Sequence, residues 1–187
     1  MAVKIYIDQG HNPTNPNAGA EGNGLREQDI TYEIGRRLYL LLESDPNYEA
    51  RLSRPTKETQ LGTSNASSLS ARTTDANSWG ADYFISIHCD ASDIPSASGS
   101  SAFVYALGTR AALFGRSVLN SMCDFTGLPN RGLSARPTLY VLRKTVMPAV
   151  LVETGFITNE GDAFLLKNNP EIFAEGMYNG INNYFGY

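Results

Sequence analysis

The chain has 187 residues, with 15 Lys and Arg against 19 Asp and Glu, a formal net charge of −4, two histidines and two cysteines. That length can bury one sizeable core and no stretch is polar or Pro-rich enough to read as a linker, so a single domain spanning residues 1–187 is expected, with a monomer as the default. The charge balance lacks the basic stripe that a phosphate backbone requires, which argues against nucleic acid as a partner. Two isolated cysteines, Cys89 and Cys123, make neither a disulfide framework nor a CxxC zinc site.

The first apolar run, VKIYID (3–8), is apolar on both parities, as in a strand covered on two faces. It is too short for a signal-peptide core, and no later run approaches the ~20 residues of a membrane span. The expectation is a chain made in the cytoplasm without a signal peptide or membrane insertion, reaching any target outside only after lysis. A loop containing Gly10, Gly19, Gly22 and Gly24 leads to EQDITYEIGRRLYLLLES, where Ile30, Ile34, Leu38 and Leu41 recur three or four apart. That spacing predicts an amphipathic helix beginning near Glu27.

YEARLSR reads as a short strand, SSLSARTTDANSWGA as a helix capped by Ser67 or Ser68, and DYFISIH (82–88) as a strand ending in the second histidine. SAFVYAL then reads as a strand, ALFGRSVLNSMCDFTG as a helix closed by Gly127, TLYVLR as a strand and PAVLVET as a buried strand. Helices around EGDAFLLKN and PEIFAEGMYNGINNYF finish the chain. This alternation predicts an α/β domain with a mixed, mostly parallel sheet of about six strands, flanked by helices on both faces.

In such sheets ligands bind beyond the carboxyl ends of strands, and His11, His88 and Glu153 each follow an apolar strand closely. Two histidines at strand ends point to a metal such as zinc, which takes neutral imidazole readily and needs a third ligand at a catalytic site. Glu27 is placed to be that ligand, though an acid in a first helical turn also has an ordinary dipole explanation. Glu153 ends AVLVE, and burial there would raise its pKa toward the range useful for proton transfer; an exposed edge position or an ion pair with Arg143 is the plainer alternative.

Four separated stretches occur in order: IDQGH with His11, GLREQDITYEIGRRL with Glu27, SARTTDANSWGADYFISIHCDAS with His88, and YVLRKTVMPAVLVETGFITNEGD with Glu153. Together, from about Val3 to Tyr184, they resemble the zinc-dependent N-acetylmuramoyl-L-alanine amidases of bacteria and their phages. The resemblance implies a single twisted sheet between helices, one Zn2+ ion held by His11, Glu27 and His88, and Glu153 as the catalytic glutamate. It implies a peptidoglycan substrate, cut at the amide between the lactyl group of N-acetylmuramic acid and L-alanine, in an endolysin or an autolysin. NPTNPNAG after His11 and the pair Cys89 and Asp90 after His88 depart from the family's usual glycines, small residue and asparagine.

Asp8 either orients His11 through its second ring nitrogen or caps the loop through backbone amides. Arg131, Arg136, Arg143 and Lys144 form a basic neighbourhood before the last apolar strand, with Arg143 the leading candidate for a stem-peptide carboxylate. Arg54 and Arg72 read as braces of the fold, and Trp79 as core or rim. A Cys89 or Ser86 hydrolase is the main rival, weakened for Cys89 because it adjoins His88 and adjacent strand residues face opposite ways. A wall-binding module without catalysis would not need a carboxylate at the end of a buried strand, and no internal repeat of that kind occurs.

Overall fold

The structure, a computed structural model, describes residues 2–187. Its strands are β1 (Val3–Gln9), β2 (Glu21–Gly22), β3 (Leu25–Arg26), β4 (Tyr48–Leu52), β5 (Tyr83–Asp90), β6 (Ser100–Val104), β7 (Asn130–Ala135) and β8 (Ala149–Phe156). Its helices are α1 (Glu27–Glu43), α2 (Asn65–Trp79), α3 (Arg110–Thr126), α4 (Tyr140–Lys144), α5 (Glu160–Asn168) and α6 (Pro170–Phe185). The main sheet has six strands in the order β4-β1-β5-β8-β6-β7, while β2 and β3 form a small antiparallel hairpin. β4, β1, β5 and β8 run parallel, and β6 joins β8 antiparallel before pairing in parallel with β7.

Period-two alternation sorts the central strands into two cores. Ile5, Ile7, Ile85, Ile87, Val150 and Val152 face α1, α3 and α6, whose Ile34, Leu38, Phe114, Val118, Phe173 and Met177 complete the larger one. Tyr6, Phe84 and Leu151 face the other way, against Ala76 of α2 and Val141 and Leu142 of α4. Both faces of the sheet are therefore covered, as expected for a single α/β domain. α3 and α6 approach closely because Gly180 carries no side chain; a Cβ there would lie 2.6 Å from the Val118 Cα.

Three sequence expectations are corrected. TLYVLR is not a strand: it lies at the start of α4, where neighbouring Val141 and Leu142 are both buried in the smaller core. The sixth strand is instead β7, NRGLSA, whose residues are mostly exposed at the sheet edge and so carry no apolar alternation. α2 is capped by Ser64, earlier than Ser67 or Ser68, with Ser67 closing a capping box: its backbone N–H donates to Ser64 Oγ at 3.1 Å and its hydroxyl oxygen accepts the Ser64 N–H at 2.9 Å.

One buried ion pair ties α2 to the end of β1. Arg72 Nη1 donates to Asp8 Oδ1 and to the Gln9 carbonyl at 2.6 Å each, and Nη2 donates to the His11 carbonyl. Both side chains are 1% exposed. Arg54, also fully buried, holds the Gln28 and Lys57 carbonyls instead. Both arginines brace the fold, and Trp79 packs on Tyr6 under Lys4 and Arg51.

Truncating Arg72 to Met would leave the Asp8 carboxylate buried and unpaired, so the variant should lose about 3–5 kcal/mol in urea unfolding. A loss below ~1 kcal/mol would mean that the pair does not anchor this end of β1.

Candidate metal centre

β1, β5 and β8 are adjacent and parallel, so their carboxyl ends share one edge of the sheet. His88, near the end of β5, lies directly opposite Glu153 of β8 in the strand register. His11 follows β1 by two residues and has a left-handed backbone, φ 66°. That unusual geometry for a residue with a Cβ is held by the Arg72 guanidinium on the His11 carbonyl and by the loop beyond.

Asn12 organises that loop. Fully buried, it receives the Leu61 N–H and donates to the Pro16 and Leu61 carbonyls, while its own backbone N–H bonds to Asn17. NPTNPNAG is thus a closed turn that returns the chain to Gly19 and Ala20 beside α1. Glu27 is the first residue of α1, and its carboxylate reaches back over the sheet edge. Glu27 Oε2 accepts the Ala20 N–H at 2.9 Å and Oε1 the Cys89 N–H at 3.0 Å, which leaves the side chain little freedom.

Three donor atoms meet at one point. Glu27 Oε1 lies 3.0 Å from both His11 Nε2 and His88 Nδ1, and the two nitrogens are 3.2 Å apart. Ligands on a tetrahedral zinc with bonds of ~2.0–2.1 Å stand roughly 3.3 Å from one another, so this triangle has the size such an ion needs. The donor set also fits, with two imidazoles and a carboxylate. His11 and His88 are 21% and 19% exposed and Glu27 only 5%, so the point is reached from solvent past the imidazoles.

The ring of His88 is oriented from behind. Ser86 donates its one hydroxyl proton to Asp8 Oδ2 at 2.7 Å, so Ser86 Oγ, 3.2 Å from His88 Nε2, accepts the Nε2 proton. In the neutral ring Nδ1 then carries the lone pair, aimed at the cluster. Asp8 therefore acts on His88 through Ser86; it makes no hydrogen bond to His11, whose Nδ1 is buried without a partner. Burial alone would raise the Asp8 carboxyl, but the charge and hydrogen bonds of Arg72, with Ser86, hold it below its ordinary value. At Glu27 burial likewise raises the carboxyl, but the two imidazoles 3.0 Å from Oε1 outweigh it and hold that carboxyl well below the usual range.

Glu153 is treated in the opposite way. Its Oε2 is enclosed with no hydrogen-bond partner, and no cation pairs with it among the described residues. Desolvation, with the negative charges of Glu27 and Asp90, pushes its carboxyl well above the ordinary value. An apolar cavity of about 160 Å³ lined by Leu69, Leu139, Tyr140, Val141 and Leu151 opens beside His11 and His88. Two glycines keep the cluster compact: a Cβ on Gly10 would lie 2.6 Å from His88 Cε1, and one on Gly19 would lie 2.8 Å from Glu27 Oε2.

His11, Glu27, His88 and Glu153 are thus brought together, and Arg143 is not. Arg143 lies over Tyr140 and lines a separate cavity with Tyr105, Pro148 and Ala149, at the opposite end of β8 from Glu153. Cys89 points into the larger core, where burial drives its thiol well up, and Ser86 is committed to Asp8; neither can be a nucleophile activated by His88. Sequence reasoning considered Ser86 only as a nucleophile and missed its part in orienting His88, although the step of two between them puts both on one face. It also gave Arg72 no part in aiming His11, because a salt bridge 64 residues apart in sequence has no local signal.

The chain resembles known proteins over nearly its whole length. Residues 5–183 match the family model described as N-acetylmuramoyl-L-alanine amidase. The chain is 36% identical over 183 residues to the N-acetylmuramoyl-L-alanine amidase CwlM of Bacillus licheniformis, covering 96% of this chain and 67% of that protein. It is 33% identical to the sporulation-specific N-acetylmuramoyl-L-alanine amidase of Bacillus subtilis (strain 168), covering 98% of this chain and 68% of the relative. The chain thus spans about two thirds of the length of both relatives. Among solved structures, the catalytic domain of the amidase CwlV from Bacillus (Paenibacillus) polymyxa var. colistinus superposes with a TM-score of 0.86 at 26% identity, covering 98% of each chain. With the model matched from the first strand to the last helix and the same α/β architecture in a solved relative, the chain belongs to the N-acetylmuramoyl-L-alanine amidase family.

Proposed function

We propose that residues 1–187 form a catalytic unit that hydrolyses the amide between the lactyl group of N-acetylmuramic acid and L-alanine in cell-wall peptidoglycan, using one zinc ion. The observation that carries this reading is the triangle of His11 Nε2, Glu27 Oε1 and His88 Nδ1 with the unpartnered Glu153 Oε2 on the neighbouring strand. His11, Glu27 and His88 would hold the ion, and Glu153 would move the proton. When bound, zinc supplies a Lewis acid that polarises the amide carbonyl and acidifies a water molecule.

The remaining steps fall to the chain's own groups. Glu153 accepts a proton from the attacking water and passes it to the departing alanine nitrogen, which must leave as an amine. Its raised affinity for the proton suits both halves of that transfer, since a carboxylate of ordinary pKa would be a poor acid at neutral pH. Asp8 and Ser86 hold the His88 ring by its Nε2 edge, so that Nδ1 stays aimed at the cluster during turnover. Arg72, by pinning the Gln9 and His11 carbonyls, does the same for His11 through the backbone.

Glu153→Gln should lower release of new alanine amino termini from purified walls at least ~100-fold while zinc content stays near one per chain, whereas His11→Ala and His88→Ala should lose the metal itself. Equal zinc loss in all three would overturn the role given to Glu153. Gly10→Ala and Gly19→Ala press on His88 and Glu27, so each should weaken zinc affinity by roughly 10- to 100-fold, read by competition with a chelating dye.

Stability should carry the imprint of Glu153 as well. A carboxyl raised by the fold favours folding fully below its unfolded pKa of ~4.3, and that contribution disappears as pH rises through the raised folded value. In metal-free protein, Glu153→Gln should therefore raise the urea midpoint relative to wild type at pH 7.5, and the difference should shrink toward pH 4.5. A difference that grows on acidification would contradict the burial argument.

A further inference from the structure

A second groove, of about 520 Å³, adjoins the cluster on the β6 and β7 side and is lined by Asp90, Ser101, Phe103, Arg131, Ser134 and Arg136. Two observations connect it to Glu153: Ser101 faces Glu153 across the β6–β8 pairing, and the Asp90 charge is felt by the Glu153 carboxyl. Arg131 and Arg136 line the same groove, although neither belongs to the metal cluster.

These two arginines differ from Arg26, Arg51 and Arg72. Arg72 is neutralised by Asp8, while Arg26 and Arg51 pair with Asp29 and Asp75. No ion pair joins Arg131 or Arg136 to a carboxylate among the described residues. Each guanidinium instead lies over an aromatic ring, Arg131 over Phe156 at 5.0 Å and Arg136 over Phe103 at 4.9 Å. Arg131 also donates to the Ser98 carbonyl at 3.2 Å. Stacking of this kind fixes the plane of the fork while leaving its edge N–H groups for a ligand.

We propose that this groove takes the peptide side of the substrate, with Arg131 and Arg136 binding a free carboxylate on the residue that follows alanine. The proposal rests on the amidase reading above and adds a direction to it: the peptide runs from Glu153 toward β7, and the sugar side lies over His11, Tyr140 and the apolar cavity. The charges along the groove follow the product peptide. Cleavage creates an alanine amine next to Glu153, where the Asp90 carboxylate meets it once protonated, and a carboxylate further along meets the two guanidiniums. A planar fork favours a carboxylate over the neutral amide of the same shape, because the amide's NH2 group points donors at donors.

The test uses two muramoyl-L-alanyl peptides that differ only in whether the residue after alanine carries a free carboxylate or its amide, with zinc-loaded wild type and the Arg131→Gln, Arg136→Gln double variant. Wild type should favour the acid by roughly tenfold or more in kcat/KM, mainly through KM, as expected of a charge-assisted pair. In the double variant that ratio should fall toward one, and Arg→Lys at both positions should restore only part of it. Calorimetry with the two released peptides should give the same preference in Kd. Equal use and equal binding of acid and amide by wild type, or a preference that survives the double substitution, would overturn the proposal. If wild type cleaves neither substrate, the amidase reading itself fails, while the peptide titration still decides whether the arginines select a carboxylate.

Discussion

Everything at the site depends on β1, β5 and β8 lying side by side in the same direction. A strand of eight residues is roughly 26 Å long, so reversing one of the three would carry its side chain of the cluster toward the far edge of the sheet. Parallel pairing brings His88 opposite Glu153 and leaves His11 two residues past the end of the next strand. Such pairing needs crossover helices, and those helices supply the remaining parts: α1 opens on Glu27 and α2 carries Arg72. The larger core that holds α1 against the sheet also fixes where its first carboxylate falls.

Three carboxyl groups within this small volume are driven to different protonation states by their neighbours. Asp8 and Glu27 are both buried, yet the groups around each hold its carboxyl below the ordinary value. Glu153 has no such partner, and its environment favours the neutral form. Separating carboxyl groups in this way would let one hold a cation and another carry a proton, as the proposed function requires. The division follows from placement rather than residue type, since Glu27 and Glu153 are chemically identical.

Much of this was legible in the sequence because the central strands are buried on both faces. VKIYID, DYFISIH and PAVLVET announce themselves by unbroken apolar character, and the acid or histidine that ends each is conspicuous for that reason. α1, α3, α5 and α6 were equally plain from their spacing and from Gly127. What the sequence concealed lies where burial is one-sided or absent. β7 pairs with β6 through its backbone and buries little, so NRGLSA looks like loop. α4 was mistaken for a strand because a single helical turn is too short to reveal its period, and Val141 with Leu142 resembles a strand core. Arg143 lies by Ala149 at the start of β8, with the first half of that strand between it and Glu153, a separation that closeness in sequence hides. NPTNPNAG became intelligible only through Asn12, whose amide bonds to Pro16 within the loop and to Leu61 on a distant segment.

β7 is also the open edge of the sheet, with an unpaired row of backbone groups on its outer side. Exposed edges of this kind invite another chain to add a strand, and proteins commonly defend them with charge and irregular backbone. Here Arg131 and Arg136 flank Gly132, whose φ of 91° breaks the regular extension, and Pro129 and Pro137 bracket the strand. With both guanidiniums turned inward over Phe103 and Phe156, it is the irregular backbone at Gly132 and the two prolines that interrupt this edge.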